Sequence, residues 1–75
     1  SASLDCYLRE GDFAEALEAI QKRHGTVEIG SYPFNREGKL GATLVARGTD
    51  GPLLRKVVEE IATAIRELGG EYQIN

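Results

Sequence analysis

Few side chains in this sequence belong to types that do covalent or metal chemistry, and their spacing limits what they can do. His24 is the single histidine. A general base needs a nucleophile or carboxylate partner in a cleft, and a metal site needs further ligands. His24 follows Lys22 and Arg23 at the end of an amphipathic segment, where a helix dipole favours cations, so a structural role is expected. Cys6 is the single cysteine, which excludes a C-x-x-C pair and any internal disulfide. At an inward strand position its thiol should be buried, with a raised pKa and little reactivity. Nine glycines suggest a phosphate loop, yet neither G-x-G-x-x-G nor G-x-x-x-x-G-K-[ST] occurs. Asp5, Arg9 and Arg47 remain as charged candidates, and no nucleophile accompanies them. The chain is therefore expected to be no enzyme by itself, with no catalytic, cofactor-binding or metal residues.

The elements that would position these groups must fit into 75 residues, enough for one domain. Hydrophobic residues make up 41% and charged residues 28%, which points to a folded chain and not a disordered tail. No apolar run reaches the ~20 residues of a membrane span, and no leader pattern opens the chain. Together with the lone cysteine, this sets the expectation of a cytoplasmic protein. Ser1-Ala2-Ser3 reads as an appended remnant, with the domain excised from a longer protein. Nine basic residues are spread among twelve acidic ones, for a net charge of −3. Binding to nucleic acid relies on clustered cations, so that balance argues against a DNA or RNA partner.

Two helices carry the clearest local signals. The first is expected to start at Gly11-Asp12, with Asp12 and Glu15 as a capping box and Phe13, Ala16, Leu17 and Ile20 on one face. Gly25 should supply its left-handed stop. The second follows Asp50-Gly51-Pro52, with a stripe of Leu54, Val57, Val58, Ile61, Ile65 and Leu68 that Gly69-Gly70 ends.

The other segments alternate with period two. Leu4, Cys6 and Leu8 form one inward set, Val27 and Ile29 a second, Leu40, Ala42, Leu44 and Ala46 a third, and Tyr72 and Ile74 a fourth. A hairpin is expected around Phe34-Asn35-Arg36-Glu37-Gly38, with Pro33 ending the preceding ladder. The resulting order, β-α-β-β-α-β, predicts an α+β ferredoxin-like fold: a four-stranded antiparallel sheet with two helices on one face and strands one and three central. The faint echo between His24–Ile29 and Gly69–Ile74 supports two halves of like construction.

Such a sheet leaves its other face open. Alternation places Asp5, Tyr7, Arg9, Glu28, Thr43, Val45, Arg47 and Gln73 there, with Arg47 beside Asp5. Gly30 and Gly41, inside strands, suggest a close backbone approach. Strand three, Lys39 to Arg47, carries no aromatic residue of the kind that stacks bases in RNA-binding relatives of this fold. Arg9-Glu10-Gly11-Asp12 puts two acids where an acylphosphatase-like loop would cradle an anion. Gly11, between the first strand and helix, keeps open an alternative: a small-molecule-binding regulatory domain of the ACT type. The segment Ile29-Gly30-Ser31-Tyr32-Pro33-Phe34 stands out most, because Tyr32 and Phe34 either plug the hairpin or anchor a partner. The candidate interaction surface is thus Tyr32, Phe34, Tyr7, Arg9, Val45 and Arg47.

Three stretches then carry a resemblance. They are Gly11-Asp12-Phe13-Ala14, Val27-Glu28-Ile29-Gly30-Ser31-Tyr32-Pro33 and Leu44-Val45-Ala46-Arg47-Gly48-Thr49-Asp50. In this order they resemble the C-terminal region of molybdopterin-binding-domain proteins. The group concerned is related to the competence/damage-inducible protein CinA and to the pterin-like domain of FAD synthases. The resemblance implies a parent with an N-terminal MoaB/Mog-like domain, which would carry the molybdopterin. No position here matches that domain's pterin-binding signature. It also implies a non-catalytic accessory domain that docks on the N-terminal domain of its own parent or on a second copy.

Overall fold

The apolar stripe running from Leu54 to Ile65 becomes α2 (Gly51–Glu67), the element that covers most of the core. A computed structural model describes residues 1–75. Ahead of α2 come β1 (Ala2–Cys6), α1 (Glu10–Arg23), β2 (Glu28–Arg36) and β3 (Lys39–Arg47), and β4 (Tyr72–Ile74) follows it. The strands form one antiparallel sheet in the order β2-β3-β1-β4, so β1 and β3 are central as the ferredoxin-like reading requires. No helix is long and apolar enough to cross a membrane.

The register explains why both helices share one side. Ala2, Leu4 and Cys6 face Ala46, Leu44 and Ala42 across the β1–β3 ladder, giving one uninterrupted apolar face. Phe13 and Ile20 of α1 close over it together with Leu54, Val57, Val58, Ile61, Ala62 and Ile65 of α2. Each Phe, Leu, Val or Ile among them, fully buried, stabilises the fold by roughly 1.5–3 kcal/mol. Leu40 keeps the inward parity of β3 but lies beyond the helices' cover and stays exposed. Ala2 and Ser3 pair with Ala46 and Val45, so this opening segment is part of strand β1.

The helix ends differ from expectation in instructive ways. Asp50 caps α2 as expected, accepting from the Leu53 amide at 3.2 Å, and Gly69 at φ 81° stops it. In α1 the chain turns within three residues of β1, so the helix already begins at Glu10. Asp12 then sits in the first turn, and its carboxylate reaches back to the Arg9 amide at 3.2 Å. Gly25 does not adopt a left-handed conformation. The C-terminus of α1 is held instead by side chains. The Gln21 carboxamide donates to the carbonyls of His24 and Val27 and accepts from the Ile29 amide at 2.9 Å. His24 and Arg23 both lie 2.9 Å from the Glu60 carboxylate of α2. Burial alone would push Glu60 up, but those two partners override it and hold the carboxyl below its ordinary range.

The hairpin is tighter than five residues. β2 continues through Pro33, which faces Ala42, and runs on to Arg36. Proline is tolerated there because β2 is an edge strand whose outward amides need no ladder partner. The turn is the pair Glu37-Gly38 at φ 53° and 85°, the doubly positive geometry of a type I′ hairpin. The Tyr32–Pro33 bond is trans.

Candidate interaction surface on the open sheet face

The registers that send apolar residues toward the helices send a different set to the other side. Ser3 and Asp5 of β1, Thr43, Val45 and Arg47 of β3, and Gln73 of β4 share this open face. So do Glu28, Gly30, Tyr32, Phe34 and Arg36, the even-numbered residues of β2. Because the hairpin closes in two residues, Arg36 and Lys39 stand opposite each other at its tip.

Around that tip an aromatic and cationic cluster assembles. The Tyr7 and Phe34 rings meet edge to face, with centroids 5.5 Å apart and planes at 76°. The Arg36 guanidinium covers the Phe34 ring at 3.9 Å, and Lys39 Nζ lies 4.3 Å from the centroid of Tyr7. Beneath Phe34 lies Gly41: a Cβ there would come within 2.7 Å of the ring and closer still to the Cys6 carbonyl. Only glycine lets the ring settle on the backbone.

Asp5 anchors this cluster from below. It is 9% exposed, accepts from the Thr43 hydroxyl at 2.7 Å and from Asn75 at 3.3 Å, and pairs with Arg36 at 3.0 Å. The Thr43 hydrogen bond outweighs the cost of burial and, with Asn75 and Arg36, holds this carboxyl below its ordinary value. Arg36 also donates to the Tyr7 hydroxyl at 3.2 Å. That bond first, and Asp5 second, raise the guanidinium's pKa still further.

A second, smaller cluster lies toward the start of β2. Arg47 donates to the Tyr32 hydroxyl at 2.6 Å and lies 5.4 Å from the ring centroid. Gly30 makes room for it, since a Cβ there would meet the Tyr32 ring at 3.1 Å. Glu28 stands 3.8 Å from Arg47 at the rim.

Of the six expected surface residues, five lie on this face: Tyr7, Tyr32, Phe34, Val45 and Arg47. Arg9 does not join them, because β1 ends at Cys6 and Arg9 becomes the N-cap of α1. Arg47 does not pair with Asp5 either. The register sets Asp5 against Thr43, four residues along β3 from Arg47, and Arg36 takes the acid instead. The face carries three aromatic rings, those of Tyr7, Tyr32 and Phe34. Arg36, Lys39 and Asn75 were missed as members of the site, whereas Thr43 lies on the open face as alternation placed it. The signal for the first two was available: a Glu-Gly turn with Pro33 allowed on an edge strand puts Arg36 and Lys39 on the same side as Tyr32 and Phe34.

Cys6 points to the helix-covered side, and burial pushes its thiol up. Gly11 is the second residue of α1 and not part of the turn before it, so the feature that suggested an ACT-like ligand site is absorbed into the helix. The Phe34 ring is sandwiched between Arg36 and Gly41, and a stacking base would have to displace the guanidinium.

Comparison with known proteins gives the chain a family. No curated protein matches it. The solved structure of the de novo designed protein Ferredog-Diesel is similar at 24% identity and a TM-score of 0.53, over 100% of this chain and 84% of that one. At that identity the likeness shows the fold alone. The family model described as FAD synthase, middle domain, matches residues 1–71. This match corrects the molybdopterin-binding, MoaB/Mog and CinA-related reading. That reading rested on short stretches such as Ile29–Pro33, whose unusual residues the fold accounts for: Gly30 seats Tyr32, and Pro33 lies on an edge strand. The match instead runs from β1 to the threshold of β4, and the chain belongs to the family of FAD synthase middle domains.

Proposed function

We propose that this chain is a non-catalytic docking domain of a FAD synthase-type protein, engaging a neighbouring domain of its own parent through the open sheet face. In this reading, other domains carry the flavin chemistry named in the family's description, and this one holds no cofactor. The observation that carries the proposal is the pair of preset Tyr/Phe–Arg clusters. Tyr and Arg are the residue types that dominate binding hot spots, and here hydrogen bonds and ring contacts already fix them before a partner arrives. Tyr32 is 46% exposed, with a large area still to bury.

The test is to measure binding of the isolated domain to the remainder of its parent by calorimetry. Tyr32→Ala and Phe34→Ala should each weaken binding about tenfold or more, the scale of a hot-spot truncation. Arg47→Met should weaken it with little effect on the melting temperature. Undiminished affinity in all three variants would remove the open face from the account.

A further inference from the structure

The outer edge of β2 carries a second feature, independent of the open face. Strand β2 has one neighbour, β3, so the amides and carbonyls on its other side have no ladder partner. The Ile29 amide shows which residues these are: it points away from β3 and donates to Gln21 Oε1 at 2.9 Å. By alternation, the backbone of Ser31 and Pro33 points the same way. Gln21 closes one end of this edge, and Pro33, with no amide, closes the other. Between them lies Ser31, with a free N–H and C=O, and the Ile29 carbonyl.

Beside this window runs a groove of about 400 Å³ between α1 and β2. Ala14, Leu17 and Ile29 give it an apolar lining, and Glu10 and Glu18 are the charged residues along it. No cation lines it; Lys22 is 3.2 Å from Glu18, in an exposed pair that a competing cation can displace. Ser31 lines the same groove, and its Oγ is the one buried side-chain polar atom in the molecule without a hydrogen-bond partner. A buried hydroxyl left unpaired is costly unless something supplies the missing bond.

We propose that the α1–β2 groove takes a short extended segment of a partner protein bearing a lysine or arginine. The segment adds a strand to β2 at Ser31 and its cation reaches Glu10 and Glu18. The main chain supplies the hydrogen bonds, the apolar lining takes alternate side chains, and the acidic rim selects the charge. The length of the window limits the segment to a few residues, so binding is weak and specific.

The experiment adds the peptide acetyl-Val-Lys-Val-Arg-Val-amide to the ¹⁵N-labelled domain, with acetyl-Val-Glu-Val-Glu-Val-amide as the charge control. Saturable amide shifts at Ile29 and Ser31 with the basic peptide, and none with the acidic one, are the expected result. Ser31→Pro removes the key amide on an edge that already accommodates Pro33, and should abolish the shifts. If that variant does not fold, Glu10→Gln with Glu18→Gln should weaken binding about threefold or more, the scale of removing rim charges. No saturation by about 5 mM, near the weak limit of specific binding, overturns the proposal. So do equal responses to both peptides, or shifts centred on Tyr7 and Phe34 with Ile29 and Ser31 silent.

Discussion

The two faces of the sheet grow from the same strands yet are held by different physics. On the helix side, Leu4, Cys6, Leu44 and Ala46 are wholly buried under α1 and α2, and the interaction is removal of apolar area from water. On the open side, Tyr7, Phe34, Arg36 and Asp5 hold one another through rings, guanidinium stacking and charge-assisted hydrogen bonds. The first face stabilises the domain. The second is internally bonded yet incompletely covered, and it is this combination on which the proposed docking role rests. Glycine reveals the contrast as well: Gly30 and Gly41 sit under the open-face rings, where a Cβ would block the aromatic from the backbone.

If this division is right, substitutions on the two faces should separate stability from binding. The largest expected effect is Ile61→Ala at the centre of the covered face. Ile61 has no exposure, and the cavity should cost about 2–5 kcal/mol in urea melts. Gly41→Val comes next, because its branched side chain collides with Phe34 and the Cys6 carbonyl. It should cost about 1–3 kcal/mol, as overpacking does, and should also weaken docking by dislodging the ring. Phe34→Ala should lose about 0.5–1.5 kcal/mol with its edge-to-face partner Tyr7. Its effect on partner binding should exceed its effect on stability, and the reverse order would break the comparison.

Acid exposes the remaining difference. Asp5 and Glu60 both titrate below their ordinary values of 3.8 and 4.5 in the folded state. Their stabilisation is therefore complete above those values and is lost as pH falls through the lower, folded ones. Melting temperature should fall on acidification below about pH 4, as is usual when paired carboxylates protonate. Asp5→Asn should flatten part of that acid limb, since it removes the titrating partner of Arg36 and Thr43.

The covered face was legible in the sequence because periodicity reports burial directly. The stripe of α2 and the alternation of β1 and β3 named the core, the strand order and the shared helix side. The open face was legible only in part. Tyr32 and Phe34 stood out beside Pro33, but their cationic partners depended on a register that a single turn sets. Reading Pro33 as the end of a ladder hid the last three residues of β2, and with them the approach of Arg36 to Asp5 across two strands. Alternation was also carried past Cys6 to Arg9, although the chain had already left the sheet. Gln21 offered no sequence signal for its role, because a side chain that stands in for a neighbouring strand is visible only once β2 lies beside α1.

The central claim can be tested by mixing the ¹⁵N-labelled domain with the unlabelled remainder of its parent and mapping the amides that shift. The account predicts a patch centred on Tyr7, Tyr32, Phe34, Val45 and Arg47, with the outer surface of α2 unchanged. Shifts concentrated on α2, with the aromatic face silent, would contradict it.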